Sequence, residues 1–343
     1  MRQKNNMNKA APYELLGRPE SGYSLKVRSA LRYKAIEYKW VDRFSHEKLF
    51  QANAKVQLMP LVLLPSGSSM QDSTPILEHL EQVFPDPSFH PEDSALRFLS
   101  ELLEEYGDEW GNKLMFQYRW GYLADQKRRS KTLATGIIGG RTLPLIGKWL
   151  GPLLAPLVVK RMVPRMALAG ANENNKPLLV DSFDALVTLL NTHLQERSYI
   201  FGERPAFGDF GVWGQLHQAY TDPSCCDILN TKGLAVVQWI ERMLKPKNLG
   251  NFETLDALRP TLAPLFSREV APRFLAWDAA NAKAWTAGEQ KTELTMDGQV
   301  YYQKTFKYPA YTFGLLREKF DHAKHDEALT KFLEETDCLR YLV

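Results

Sequence analysis

The stretch VQLMPLVLLPSGSSMQDSTPILEHLE, residues 56–81, constrains the fold more than any other part of the chain. An apolar run reaches Met59-Pro60, continues through Leu61 to Leu64, crosses a short Gly/Ser turn and opens a helix with Asp72, Ser73 and Pro75. Proline has no N–H for a strand ladder, so it normally stands at an edge or a break. A second apolar run follows Pro60 directly, which points to a special backbone task at this position. The polar trio ahead of ILEHLE has the composition of a helix start, with a capping side chain and a proline in the first turn.

The surroundings fit a small mixed sheet. YELLGRPES reads as a strand and loop, and YSLKVRSALRYKAI as an amphipathic helix with Leu25, Ala30, Leu31 and Ile36 near helical spacing. YKWVDRF reads as a second strand and HEKLFQANA as a polar, helix-like connector. The order over 12–88 is β-α-β-α-β-β-α, an α/β unit with helices over a sheet. FPDPSFHPED, residues 84–93, holds three prolines and ends the unit. From Asp93 onward strand signals nearly vanish and helical spacing dominates. TELTMDGQVYYQKTF then alternates with period two around Asp297-Gly298, a strong hairpin signal, and EALTKFLEETDCL closes the chain as a helix. The expected organisation is a disordered lead-in at 1–11, an α/β domain at 12–88, an all-helical domain at 93–270 with an insert at 136–170, and an extension at 271–343.

At 343 residues the chain has length for about two domains of roughly 150 residues each. The 43 Lys and Arg exceed the 40 Asp and Glu by only three, so no polyanionic partner is implied and nucleic acid is not expected. Cys225, Cys226 and Cys338 form neither a disulfide framework nor a CxxC spacing, which fits a reducing, cytoplasmic setting. His79, His90, His193 and His217 show no metal spacing, so no metal is expected. The acids of ELLEEYGDEW read as an exposed helix face, and DQKRRSK as a solvated one. LPLIGKWLGPLLAPLVVKRMVP, residues 143–164, could be a membrane span, a membrane-surface or dimer contact, or a buried irregular helix pair. Three prolines and Lys148 argue against a span, and the buried pair is the expectation. Membrane association is open but not expected.

A βαβαββα unit followed by helices resembles the cytosolic glutathione transferase superfamily, and residues 56–81 make the resemblance specific. That family builds a thioredoxin-like domain with a cis-proline before its third strand, and Met59-Pro60 stands at that place. The resemblance gives Met59 and Pro60 the cysteinyl part of glutathione, and Asp72 and Ser73 its γ-glutamyl end. The chemistry is sound on its own terms: a helix N-terminus attracts a carboxylate, Ser73 adds a hydroxyl donor, and Asp72 can pair with an ammonium. Read without the family, Asp72 or Ser73 is simply a helix cap. GRPESGYSLKVRSAL resembles the family's serine and cysteine classes, in which Ser or Cys stands six residues before the valine of a V-R-x-A-L run. Val27 to Leu31 is that run, and Ser21 is the matching position. There a hydroxyl would favour the thiolate of glutathione. Tyr23 and Ser24 compete for the role, and Ser24 is a plausible N-cap of the helix.

Gly17 stands where tyrosine classes keep their catalytic residue, and no cysteine occupies the Ser21 region, so tyrosine-type and mixed-disulfide chemistry are disfavoured. YIFGERPAFGDFGVWGQLHQ, residues 199–218, resembles the segment opening the family's central helix, with Asp209 kept and Ala206 at the cap. The insert falls where the family's helical domain borders its substrate pocket, so Trp149 and Leu150 are expected to line that pocket. The resemblance implies a thioredoxin-like N-terminal domain with a transferase-type helical C-terminal domain, glutathione as co-substrate, a small apolar electrophile, and room for a homodimer. The alternative is a non-catalytic protein keeping this fold for binding or membrane-associated assembly.

Overall fold

The computed structural model describes residues 11–343, so the lead-in expected at 1–11 lies, but for its last residue, outside the described residues. β1 (Tyr13–Gly17), α1 (Gly22–Tyr33), β2 (Tyr38–Asp42), α2 (Glu47–Asn53), β3 (Leu61–Leu63), β4 (Ser69–Gln71) and α3 (Ser73–Val83) follow the expected order. The sheet runs β2-β1-β3-β4, with β1 parallel to β2 and antiparallel to β3, and β3 antiparallel to β4. Successive side chains of a strand point to opposite faces. Leu15 and Val62 accordingly enter the main core with Val27, Leu31 and Leu77, while Leu16 and Leu61 form a smaller cluster with Val41 and Phe50. Both faces are covered, which is why Leu61 and Val62 of β3 are apolar without alternation, whereas Val56 and Leu58 in the loop before it are exposed. The Met59–Pro60 peptide bond is cis and leads into β3.

The helical part begins with α4 (Ser94–Glu105), passes through a π-helical segment (Tyr106–Gly111) into α5 (Asn112–Gly121), and continues as α6 (Leu123–Arg141). After α7 (Pro144–Met162) and a 3-10 segment (Val163–Ala169) come α8 (Lys176–Leu194), α9 (Phe207–Tyr220), α10 (Pro223–Lys232) and α11 (Leu234–Arg242). α12 (Leu255–Leu265) runs through a second π segment (Phe266–Leu275) into α13 (Ala276–Thr286). The boundary expected at 270/271 thus falls inside one continuous helical run. The hairpin β5 (Lys291–Met296) and β6 (Gln299–Lys304) turns at Asp297 and Gly298, both at positive φ, as the Asp-Gly pair requires. α14 (Lys307–Ala323), α15 (Glu327–Glu335) and α16 (Leu339–Leu342) complete the chain.

The extension packs on the helical domain. Tyr301 and Trp277 pack against Trp110 with tilted rings, and the Asn175 amide bonds both the carbonyl (2.8 Å) and the N–H (3.2 Å) of Tyr302, covering the hairpin's free edge. α9 is the central element and packs on α1 and α4. A Cβ at Gly211 would stand 2.6 Å from the Glu104 carbonyl oxygen, and one at Gly22 would stand 2.6 Å from that of Gly214, so these crossings require glycine. The start of α9 lacks a capping oxygen, as Ala206 implies. The carboxylate of Asp209 compensates, accepting from the N–H groups of Ala206 (2.9 Å) and Ile200 (3.0 Å) and from the Trp239 indole (2.8 Å). Burial pushes that carboxyl up to about 6 against these bonds.

His193 is buried between the Ile200 carbonyl (2.7 Å) and the Thr261 hydroxyl (2.8 Å), so its ring donates from Nε2 and accepts at Nδ1 as the neutral form. Burial lowers its pKa to about 4. Below pH 6.5 the unfolded chain therefore binds a proton that the folded chain refuses, and stability falls as pH falls. Between pH 7 and 5 this one group is expected to remove about 2 kcal/mol. Urea unfolding of the wild type and His193→Gln at the two pH values checks this: the variant should show a correspondingly smaller drop, and equal drops would contradict it.

Candidate functional site

The register places three segments along one edge of the sheet. Leu16 pairs with Leu61 and Leu61 with Gln71, so the end of β1, the Met59-Pro60 entry to β3 and the end of β4 form a row. Ser21 follows β1 at the start of α1, and Asp72-Ser73 follow β4 at the start of α3. The structure therefore brings Ser21, Met59, Pro60, Asp72 and Ser73 to the same edge, beneath the N-termini of two helices.

Ser21 is the N-cap of α1; its Oγ accepts from the Ser24 N–H at 3.2 Å. The cap is Ser21 and not Ser24, which is fully buried. Because Oγ accepts there, its own proton remains to be given to a ligand. Tyr23 has no such freedom: its phenol donates to the Asp108 carbonyl at 2.8 Å, and burial, followed by Asp108 and Glu109, raises its pKa well above normal. Gln71, which the sequence reading passed over, fastens the loop before Met59. Its amide accepts from the N–H groups of Lys55 (2.6 Å) and Val56 (3.1 Å) and donates to the carbonyls of Val56 (2.8 Å) and Leu58 (2.9 Å).

Asp72 has φ 78°, a left-handed backbone that non-glycine residues adopt rarely and mostly where function holds them. One of its oxygens accepts from the Thr74 N–H at 3.4 Å, and the other from the phenol of Tyr308, which reaches over from α14. Ser73 is buried and its hydroxyl donates to Asp108 Oδ2 at 3.4 Å. Asp108 and Glu104 both hold the ammonium of Lys26, the former at 2.7 Å, and Lys26 also donates to Thr74 Oγ1 at 3.2 Å. The Lys26 side chain is 0% exposed. Burial alone would lower its pKa, but Asp108 and Glu104 more than reverse this, so the ammonium is secure. Burial raises the Asp108 carboxyl although Lys26 pulls it down.

This corrects the reading of ELLEEYGDEW as an exposed face: Glu101, Glu104 and Asp108 are buried, Glu104 and Asp108 on Lys26 of the α/β domain and Glu101 beside Lys319 of α14. The π-helical segment carries Asp108, and such segments recur at functional sites. A cavity of about 130 Å³ lies beside Asp72, walled by Thr74, Glu104 and Glu105 on one side and by Tyr308 and Tyr311 of the extension on the other. Trp149 and Leu150 do not line it. They stand on the outer surface of α7, Trp149 76% and Leu150 44% exposed, because the inner face of that helix is made of Gly147, Gly151 and Ala155. The same observation corrects the expected buried, irregular helix pair: α7 is regular and its large apolar side chains face outward.

Among the described residues, Glu78, His90 and Glu101 group closely enough to hold a cation. Lys319 already fills that part, with Nζ 3.7 Å from Glu78 and 3.5 Å from Glu101.

Comparison with known proteins decides the identity of the first domain. Residues 15–88 match the family described as glutathione S-transferase, N-terminal domain. Residues 15–88 are a glutathione S-transferase N-terminal domain. A probable glutathione S-transferase of Solanum tuberosum is 31% identical over 104 residues, covering 29% of this chain and 48% of that protein. One from Nicotiana tabacum is 30% identical over 102 residues, covering 29% of this chain and 45% of that protein. The chain thus spans about half the length of the curated relatives it matches. Among solved structures, a Tau class glutathione S-transferase from Mangifera indica aligns with 73% of this chain and 96% of its own at 13% identity and a TM-score of 0.44.

Proposed function

We propose that the chain is a glutathione-dependent transferase that adds the sulfur of glutathione to a small apolar electrophile. The observation that carries this is the single edge on which Ser21, Pro60, Asp72 and Ser73 stand. The γ-glutamyl carboxylate would settle on the N–H and hydroxyl of Ser73 at the start of α3, its ammonium on Asp72, and the cysteinyl backbone on Met59. The sulfur would then lie at Ser21, whose hydroxyl donates to it and favours the thiolate. The thiol proton leaves to solvent, the sulfur forms a bond to the electrophile's carbon, and the leaving group departs with its electron pair. A cytoplasmic setting belongs to the same proposal and agrees with three unbridged cysteines. The test is turnover of reduced glutathione with an activated aryl halide; absence of any enzyme-dependent rate over a panel of apolar electrophiles would sink it.

One observation favours a binding protein without turnover: the chain's own side chains already occupy the ligand's partners, Tyr308 on Asp72 and Ser73 on Asp108. The Tyr308→Phe substitution tests what the phenol does to the cradle. If the phenol merely covers Asp72, its removal frees the carboxylate and glutathione should bind about threefold to tenfold tighter, the value of one modest hydrogen bond. Weaker binding would make Tyr308 a ligand contact instead.

A further inference from the structure

α6 and α7 form an antiparallel hairpin built inside out. A Cβ at Gly147 would stand 2.6 Å from the Gly139 nitrogen, and one at Gly151 would stand 2.5 Å from the Thr135 Cα, so the two backbones lie almost in contact. Gly147, Gly151 and Ala155, four residues apart, are the buried face of α7. Leu145, Trp149, Leu150, Leu153, Leu154 and Leu157 are all left exposed, Leu153 by 74%. Small residues inside and large apolar ones outside is the packing of helices that meet in lipid rather than in water. A monomer rarely shows a contiguous apolar surface of this kind without a partner for it.

Charge selects the partner. Between Asp125 and Glu173 the sequence has nine Lys and Arg and no Asp or Glu, against a net charge of +3 for the whole chain. The remainder of the chain is therefore net negative; Arg129 is buried on Asp222 and Arg141 pairs with Glu47, which leaves seven cations of the hairpin and the 3-10 segment after it. Lys148, Lys160, Arg161 and Arg165 are exposed and, among the described residues, have no ion-pair partner. A second copy of the chain is a poor occupant, because a twofold interface must be complementary to itself and this face would set cations against cations. Among the described residues no helix is long and apolar enough to cross a membrane. We propose that the hairpin docks on an anionic phospholipid surface, with the α7 face sunk into the headgroup boundary and the cations on the lipid phosphates. Tryptophan suits such a boundary, having one apolar and one polar end.

The test is co-sedimentation of the full chain with phosphatidylcholine vesicles with and without phosphatidylglycerol, alongside Trp149→Asp/Leu153→Asp and Lys160→Gln/Arg161→Gln double variants. All four positions are exposed, so the melting temperature should not move. Binding is expected on the mixed vesicles, with a blue shift of tryptophan emission, and weakened by salt. The aspartate variant should lose at least about tenfold in partitioning, and each cation removed about fivefold. No binding to anionic vesicles overturns the proposal, as does equal binding to neutral ones. A wild-type dimer in sedimentation that Trp149→Asp/Leu153→Asp converts to monomer, without vesicle binding, assigns the face to a second copy and overturns it too.

Discussion

Replacing Lys26 by methionine is expected to destabilise the protein by about 3–5 kcal/mol. The ammonium joins α1 to α3 and to the helix carrying Glu104 and Asp108, and it is fully out of water. Methionine fills the space but leaves two buried carboxylates facing one another without a cation. Without the cation the Asp108 carboxyl would rise further above its unfolded value, so the folded variant binds more protons than the unfolded chain near neutrality. Its deficit should shrink as pH falls toward 5, in the direction opposite to the His193 effect. Urea unfolding at pH 7.5 and 5 measures both parts. A loss below about 1 kcal/mol would mean that water already reaches the cluster.

Ser21→Ala is expected to lower kcat/KM for glutathione conjugation by about ten- to a hundredfold, the value of one hydrogen bond to a charged sulfur. Loss of the cap adds a stability cost of about 1 kcal/mol. The two effects separate by comparison with Ser21→Thr, which keeps a hydroxyl and a capping oxygen and should recover both. If Ser21 acts on the sulfur, alanine also raises the pH at which activity half-develops, because the thiolate is less favoured. An unchanged pH profile with only a lower melting temperature would reduce Ser21 to its capping role. Tyr23→Phe, by contrast, should leave the profile in place, since its phenol is spent on the Asp108 carbonyl.

The pattern of apolar residues and turn signals was enough to read the β-α-β-α-β-β-α unit and the Asp297-Gly298 hairpin, because these depend on local spacing and on backbone conformations few residues adopt. The acids of ELLEEYGDEW read as exposed in the sequence because burial of a charge depends on its partner, and Lys26 lies 78 residues from Glu104. The α7 leucines misled for the converse reason. Apolar residues in a row suggest a core, and only the glycine face at 147 and 151 turns them outward. Tyr308 had no signal at all, since its part arises from α14 folding back 236 residues to Asp72.

Calorimetric titration of the purified chain with reduced glutathione, with Ser73→Ala alongside, decides whether the Asp72-Ser73 helix start is a glutathione cradle. Binding by the wild type that the variant loses is the expected result. No heat of binding with millimolar ligand, or binding that Ser73→Ala leaves unchanged, would contradict it.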